Sequence, residues 1–380
     1  MLSAFPGHAG RCAAMTFVDK SGAAPDQVGW WDPIVVRRED IEAEIERLAS
    51  QPRPDDGRRR ALIVHPDAEA PGLGLAPGID VALEVLLPGE ESTPIRHSST
   101  AVGFCLRGTG EARIADTSFA FDEYDVWCIP SMAPYTYLNT GTEIHARLQY
   151  SNAPVLEKLR VHIVETDFPP PEGRATVDEG RRSAAFPTTR GASIDHLIDL
   201  DGGAQLLSYE RLIDPPRIES PALHWPWVEV KARLDKLHAL GESYKGRRLY
   251  LMYNPATGRT NGTTFSFFAT MCLRPANIVD RPHRHIAAAI NYFFSGEGDS
   301  LVAGKRYEWR AGDLMLTAPG WAIHRHASHG DDVYELTIQD SPAHLAMDSL
   351  LWQEDLKHPP RLLGTSTGFA TNRGEQEGGD

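Results

Sequence analysis

The chain has 380 residues, 41% of them hydrophobic and 24% charged, with a formal net charge of −14. That make-up is globular, and the length is more than one ordinary core fills. The acidic excess argues against nucleic acid as a partner, no run reaches the roughly 18 apolar residues of a membrane span, and the four cysteines form neither a CxxC pair nor a disulfide framework.

The first fifteen residues have neither the basic start nor the continuous apolar run of a signal peptide. Secretion is therefore not expected, Met15 is an alternative start, and the unpaired thiols point to the cytoplasm. Residues 1–27 are set aside as an N-terminal extension. Ile41, Ile45 and Leu48 then show the spacing of an amphipathic helix. After it come short apolar or alternating runs, "IDVALEVLLPGE", "AVGFCLRGTGEARIA" and "YDVWCIP", punctuated by Gly, Pro and Asp turns. Residues 155–220, with "FPPPEGRATVDEGRRSAAFPTTRG", carry Pro, Gly and charge without periodicity and read as a linker or an arm laid over a neighbouring subunit.

Beyond residue 220 the pattern starts again. Val230, Leu234 and Leu237 repeat the helix, and "TFSFFATMCLRP", "AAAINYFFSGEGDSLVAG", "GDLMLTAPG" and "VYELTIQD" repeat the strands. His97, Gly108 and Asp125 stand 188 residues before His285, Gly296 and Asp313, and "ALIVHP" precedes "LYLMYNP" by 189. The chain is a tandem repeat dominated by β-structure, with one barrel or jelly roll and a flanking helix per copy. The copies span residues 28–154 and 221–358, and residues 359–380 read as a flexible tail.

Chemistry concentrates in the second copy. In "RPHRHIAAAINYFFSGEG" His283 and His285 lie two apart, which puts them on one face of a strand; the same parity carries Ala287, Ala289 and Asn291 to that face. The two alanines leave open volume where a packed core would place Leu or Ile. In "GDLMLTAPGWAIHRHAS" His324 and His326 repeat the spacing. Imidazoles converging inside a barrel make a nitrogen site for Fe, Zn, Ni or Cu. The other histidines have no comparable partner.

The HxH pair, the Gly turn, the Gly-Asp and Pro, and the further His together resemble the two motifs of the cupin superfamily. The usual glutamate is absent, because its place falls on Ala289 or Ile290. A two-barrel cupin with three histidines and no glutamate resembles the gentisate 1,2-dioxygenase family and its salicylate and hydroxynaphthoate relatives. The stretches "RRRALIVHP", "LEVLLPGE", "HWPWVEVKARLDKL" and "LYLMYNPATG" extend that resemblance over residues 28–355. It implies two cupin barrels, one Fe(II) per chain held by His283, His285 and His324, dioxygen as co-substrate, and cleavage of a hydroxylated or amino-hydroxy aromatic ring. It implies that His326 hydrogen-bonds the substrate or shuttles a proton, and that Asn291 and Trp321 shape the pocket.

On the repeat offset the first copy offers Ile95, His97 and Tyr135 in place of the ligands, so the metal is expected in the second copy only. The family carries an arginine at the place of Asn291, for the substrate carboxylate. An amide carries no permanent charge. Arg281, His326 or a residue from elsewhere is then the anchor, or the substrate lacks a carboxylate. Two other readings stay open: a non-oxidative isomerase or lyase on the same imidazoles, and a barrel pair that only binds a small molecule. A homo-oligomer, dimer or tetramer, is expected.

Overall fold

The computed structural model describes residues 17, 19, 21–22, 29–168, 197–207, 218–318 and 320–364. Most of the N-terminal extension, much of the arm, the end of the tail, Cys12 and Pro319 lie outside the described residues. The chain divides into two units, Met1–Trp30 and Trp31–Asp380, and every strand and helix of both repeats lies in the second.

The first repeat opens with β1 (Ile34–Val36) and α1 (Arg38–Ser50), whose buried Ile41, Ile45 and Leu48 are the predicted stripe. Strands β2 (Arg59–Ile63), β3 (Asp80–Leu86), β4 (Arg96–His97), β5 (Ala101–Arg107), β6 (Gly110–Ile114), β7 (Thr117–Phe121), β8 (Val126–Ile129), β9 (Tyr135–Leu138) and β10 (His145–Ser151) follow, then α2 (Ala153–Lys158). In the arm β11 (Val164–Glu165) pairs with β4, while β12 (Leu197–Asp199) and β13 (Gln205–Leu207) form a hairpin. The second repeat has β14 (His224–Trp225), α3 (Trp227–His238), β15 (Arg248–Leu251), β16 (Phe268–Arg274), β17 (Arg284–His285), β18 (Ala289–Phe293), β19 (Glu297–Val302), β20 (Lys305–Arg310), β21 (Leu314–Ala318), β22 (His324–His329) and β23 (Val333–Gln339). It closes with α4 (Ser341–Ala346), β24 (Leu351–Gln353) and β25 (Arg361–Leu362). β25 pairs with β24 inside the stretch expected to be a flexible tail.

Each copy is a barrel of one large sheet facing a three-stranded one, β7-β6-β9 in the first and β20-β19-β22 in the second. The large sheets, β14-β8-β5-β10-β3-β2 and β1-β21-β18-β23-β16-β15, are buried on both faces because period-two alternation serves two cores. Val81, Leu83, Val85, Phe104 and Leu148 point across to Met271, Leu273, Ile290, Leu336 and Ile338 of the other barrel. The alternate residues, among them Leu86, Ala101, Cys105 and Trp127, fill the first barrel's interior.

The repeats are also interlaced. β1, from the first repeat, pairs with β21 of the second barrel, and β14, from the second repeat, pairs with β8 of the first. The segment 283–293, read from sequence as one strand, is two: it bends at 286–288 between β17 and β18, which belong to different sheets. The strict parity that carries Ala287 to the histidine face fails across this bend. Ala287 instead packs with Leu345, Leu350 and Leu363.

Candidate metal centre

His283, just before β17, forms an isolated antiparallel bridge with His324 at the start of β22, and His285 follows two residues along. Side-chain nitrogens of His283, His285 and His324, all buried, lie within 4.8 Å of one another, the one such group among the described residues. Each ring is oriented in the same manner. Nδ1 of His283 donates to the Arg281 carbonyl (3.0 Å), that of His285 to the Ala287 carbonyl (2.9 Å) and that of His324 to the Ala322 carbonyl (2.9 Å). With Nδ1 protonated and tied to backbone, Nε2 carries the lone pair, which is the state a metal requires.

Burial is the largest influence on each ring. It pushes His324 down to about 3, His285 well below the ordinary imidazole value and His283 below it; the charge of Arg247 acts in the same direction on all three, and neighbouring rings do so on His285 and His324. The rings are neutral at neutral pH, and the donor set fits a divalent metal. Trp352, opposite His285 on β24, lies flat on that ring at 4.9 Å and 19°. Its indole N–H donates to Glu354 (2.6 Å).

His326 lies on β22 with its ring centre 6.0 Å from that of His324, and its Nδ1 meets the Ser300 hydroxyl at 2.7 Å. Asn291 is buried and locked: the Thr317 hydroxyl donates to its Oδ1 (2.8 Å) and its Nδ2 donates to Thr337 (2.8 Å). Among the expected pocket residues, Ala289 is buried on β18. Trp321 lies half-buried under the Arg284 guanidinium, 4.5 Å from its ring centre, and Arg281 has an exposed side chain and serves His283 through its carbonyl.

Behind the imidazoles is a charged floor absent from the sequence reading. Arg274, fully buried, donates to Asp280 (2.6 Å) and Glu335 (3.1 Å), and Arg247 reaches the same carboxylates at 3.5 and 3.7 Å. Arg247 was accessible to sequence reasoning, since "GRR" at 246–248 repeats "GRR" at 57–59 with the 189-residue offset. Trp352 follows no motif and carries no such signal.

The first barrel has the same frame with other side chains. Ile95 bridges Tyr135 where His283 bridges His324. His97 keeps the ligand-like orientation, Nδ1 against the Ser99 carbonyl (2.9 Å), but its Nε2 meets the Tyr135 hydroxyl at 3.2 Å. The remaining interior is held by the Glu84–Arg147 pair, by Trp127 donating to Tyr137 (2.8 Å), and by Gln149 donating to Tyr135 (3.1 Å).

Two barrels joined through their large sheets, with clustered imidazoles in one of them, define a two-domain cupin architecture. Accordingly, the cupin domain model matches residues 82–151 and 269–338, and each half of the chain carries a cupin domain. The chain is homologous to a set of 1,2-dioxygenases. It is 24% identical over 319 residues to 5-aminosalicylate 1,2-dioxygenase of Comamonas sp, covering 82% of this chain and 78% of that one. It is 26% identical over 307 residues to 1-hydroxy-2-naphthoate 1,2-dioxygenase of Nocardioides sp. (strain KP7), covering 79% and 72%. The solved salicylate 1,2-dioxygenase of Pseudaminobacter salicylatoxidans shares the fold with a TM-score of 0.68 at 15% identity, over 89% of this chain and 91% of that one.

Proposed function

We propose that the chain is an iron(II)-dependent dioxygenase that opens the ring of a hydroxylated or amino-hydroxy aromatic compound, with its metal in the second barrel only. The observation that carries the reading is the imidazole group: buried, neutral, and tied through every Nδ1 to backbone so that Nε2 is left for a metal. His283, His285 and His324 would hold the iron. When bound, ferrous iron supplies the electron transfer by which dioxygen opens the ring and enters the product, and a three-histidine set leaves positions for both partners.

The chain's own residues bind and orient. Arg247, whose charge bears on every ring of the site, is the permanent cation for an acidic substituent, in place of the arginine that Asn291 replaces. Asn291, pinned by its two threonines, presents a neutral amide edge, and Ala289 leaves room beside it. His326 hydrogen-bonds the substrate. Trp352 and the packed barrel keep water from the rings. The first barrel acts as scaffold, since the nitrogen a metal would need on His97 is engaged by Tyr135. The reading includes a cytoplasmic homo-oligomer, supported by the exposed apolar faces of Leu197, Leu207, Val161 and Ile163 in the arm.

Elemental analysis of protein purified without chelators, beside His285→Ala, tests the assignment. One iron per chain, lost in the variant, with oxygen uptake on salicylate, gentisate, 5-aminosalicylate or 1-hydroxy-2-naphthoate, is the expected result. Zinc or nickel at that stoichiometry without oxygen uptake replaces it with the non-oxidative reading, and two metals per chain overturn the single-barrel assignment.

A further inference from the structure

His326 does not stand alone against the barrel wall. Ser300, fully buried opposite it on β19, meets its Nδ1 at 2.7 Å, and the same hydroxyl oxygen accepts the indole N–H of Trp309 at 3.0 Å. Trp309 in turn has one position available. It stacks on Phe293 at 3.7 Å and 2°, and it lies over Gly298, where a Cβ would come within 2.4 Å of its ring. With the indole N–H donated to its oxygen, Ser300 has in His326 Nδ1 the one acceptor for its own proton among the described residues; an Nδ1–H donating to it instead would leave a fully buried hydroxyl proton unpaired, so Ser300 donates and His326 Nδ1 receives. The proton of the neutral ring is then on Nε2.

The two copies make this an internal comparison. In the second barrel Gly298 pairs with Trp309 and Ser300 with His326; in the first, at the same register, Gly110 pairs with Phe121 and Ala112 with Tyr137. The copy lacking the three-histidine group therefore lacks all three members of the indole–hydroxyl–imidazole chain, although its fold is the same. Barrel packing does not require them.

We propose that Ser300, itself oriented by Trp309, is a positioning residue that keeps His326 in its Nε2–H form, so that the ring presents a hydrogen-bond donor to an anionic oxygen of the substrate. The assignment rests on the reading of the second barrel as the substrate site, and it deepens it: His326 offers no lone pair to the substrate and does not act there as a base, and the group it meets is a carboxylate or phenolate oxygen.

The test uses the full chain, zinc-loaded and labelled with 15N-histidine, at one pH where the rings are neutral. The His326 signals are assigned by their loss in His326→Gln. The wild type is expected to show Nε2 protonated and Nδ1 bare, Ser300→Ala to shift population toward the Nδ1–H form, and Ser300→Thr to retain the wild-type pattern. With iron and an aromatic substrate, Ser300→Ala is expected to raise KM about tenfold, the worth of one hydrogen bond to a charged group, with kcat within about twofold and restoration by Ser300→Thr. Trp309→Phe, the residue of the first copy, frees the hydroxyl to turn and is expected to mix the two ring forms even where Ser300→Ala does not fold. A wild-type ring protonated on Nδ1, or an unchanged His326 pattern in both Ser300→Ala and Trp309→Phe, overturns the proposal. A wild type that opens no aromatic ring overturns the dioxygenase reading, and the ring signals still decide the role of Ser300.

Discussion

One histidine of the first barrel, His97, shows what burying an imidazole in a ligand-like orientation against a tyrosine does to a protein. His97 is buried, and burial brings its imidazole down from 6.5 to about 4. Because the folded value lies below the unfolded one, the unfolded chain takes up a proton that the folded chain refuses as pH falls between these values. Stability associated with His97 is complete above pH 6.5 and is lost toward pH 4; a shift of this size corresponds to about 3 kcal/mol. His97→Gln keeps a polar group opposite Tyr135 and does not titrate. Its stability deficit against wild type, measured by urea unfolding, is therefore expected to be about 3 kcal/mol smaller at pH 4 than at pH 7.5. A deficit that stays constant with pH would show that His97 is protonated inside the barrel.

Among elements, the exchanged strands depend on one residue type used twice. Asp313, fully buried, accepts from Arg37 Nη1 (2.9 Å) and from the backbone N–H of Arg38 (2.8 Å), fastening β1 and the start of α1 to the second barrel. Asp125, 188 residues earlier, accepts from His224 (2.8 Å) and from the Trp227 N–H (2.6 Å), fastening β14 and the start of α3 to the first. Each carboxylate also offsets the positive end of the helix it receives. Asp313→Ala and Asp125→Ala are each expected to lower unfolding free energy by about 2–4 kcal/mol, the worth of several hydrogen bonds to a buried charge. Glu39→Gln, which breaks the exposed Arg310–Glu39 pair, is expected to cost under about 1 kcal/mol. Equal losses in all three variants would mean that the exchange contributes nothing special.

The repeat made both aspartates visible in the sequence, as it did the helix stripes, the strand pattern and the paired histidines, because those signals depend on spacing along the chain. What joins β1 to β21 is spacing across it, and no local pattern encodes which barrel a three-residue strand will enter. The same limit explains the site. Nδ1 partners come from residues two positions away and follow the motif, whereas Trp352 and Ser300 reach the imidazoles, and Trp309 reaches Ser300, from separate strands. The bend at 286–288 shows the complementary failure, where parity was extended through a sheet change that only tertiary packing sets.

For the whole molecule, interlacing means that neither copy can complete itself. Phe104 of the first barrel meets Tyr292, its repeat equivalent, edge-to-face at 5.6 Å, and Tyr124 of the first repeat stacks on Phe294 of the second at 4.5 Å. Separating the copies would expose Val81, Leu83, Val85, Val102, Phe104, Leu148 and Tyr150 on the first barrel alone. At about 1.5–3 kcal/mol for each such side chain, that loss is on the order of 10–20 kcal/mol, against a typical stability of about 5–15 kcal/mol. It would also remove β14 from the edge of β8 and both partners of Asp125. Residues 28–154 expressed alone are therefore expected to lack a cooperative unfolding transition and to bind hydrophobic dye, and residues 218–364 likewise. Co-expressed, the two pieces are expected to associate and recover the near-ultraviolet circular dichroism of the intact chain, because every exchanged contact can re-form without a covalent link. Phe104→Ala in the intact protein should cost about 3–5 kcal/mol, as for a filled core position. A first copy that folds cooperatively by itself would show that its sheet face tolerates solvent, and would reduce the joint from a condition of folding to a means of association.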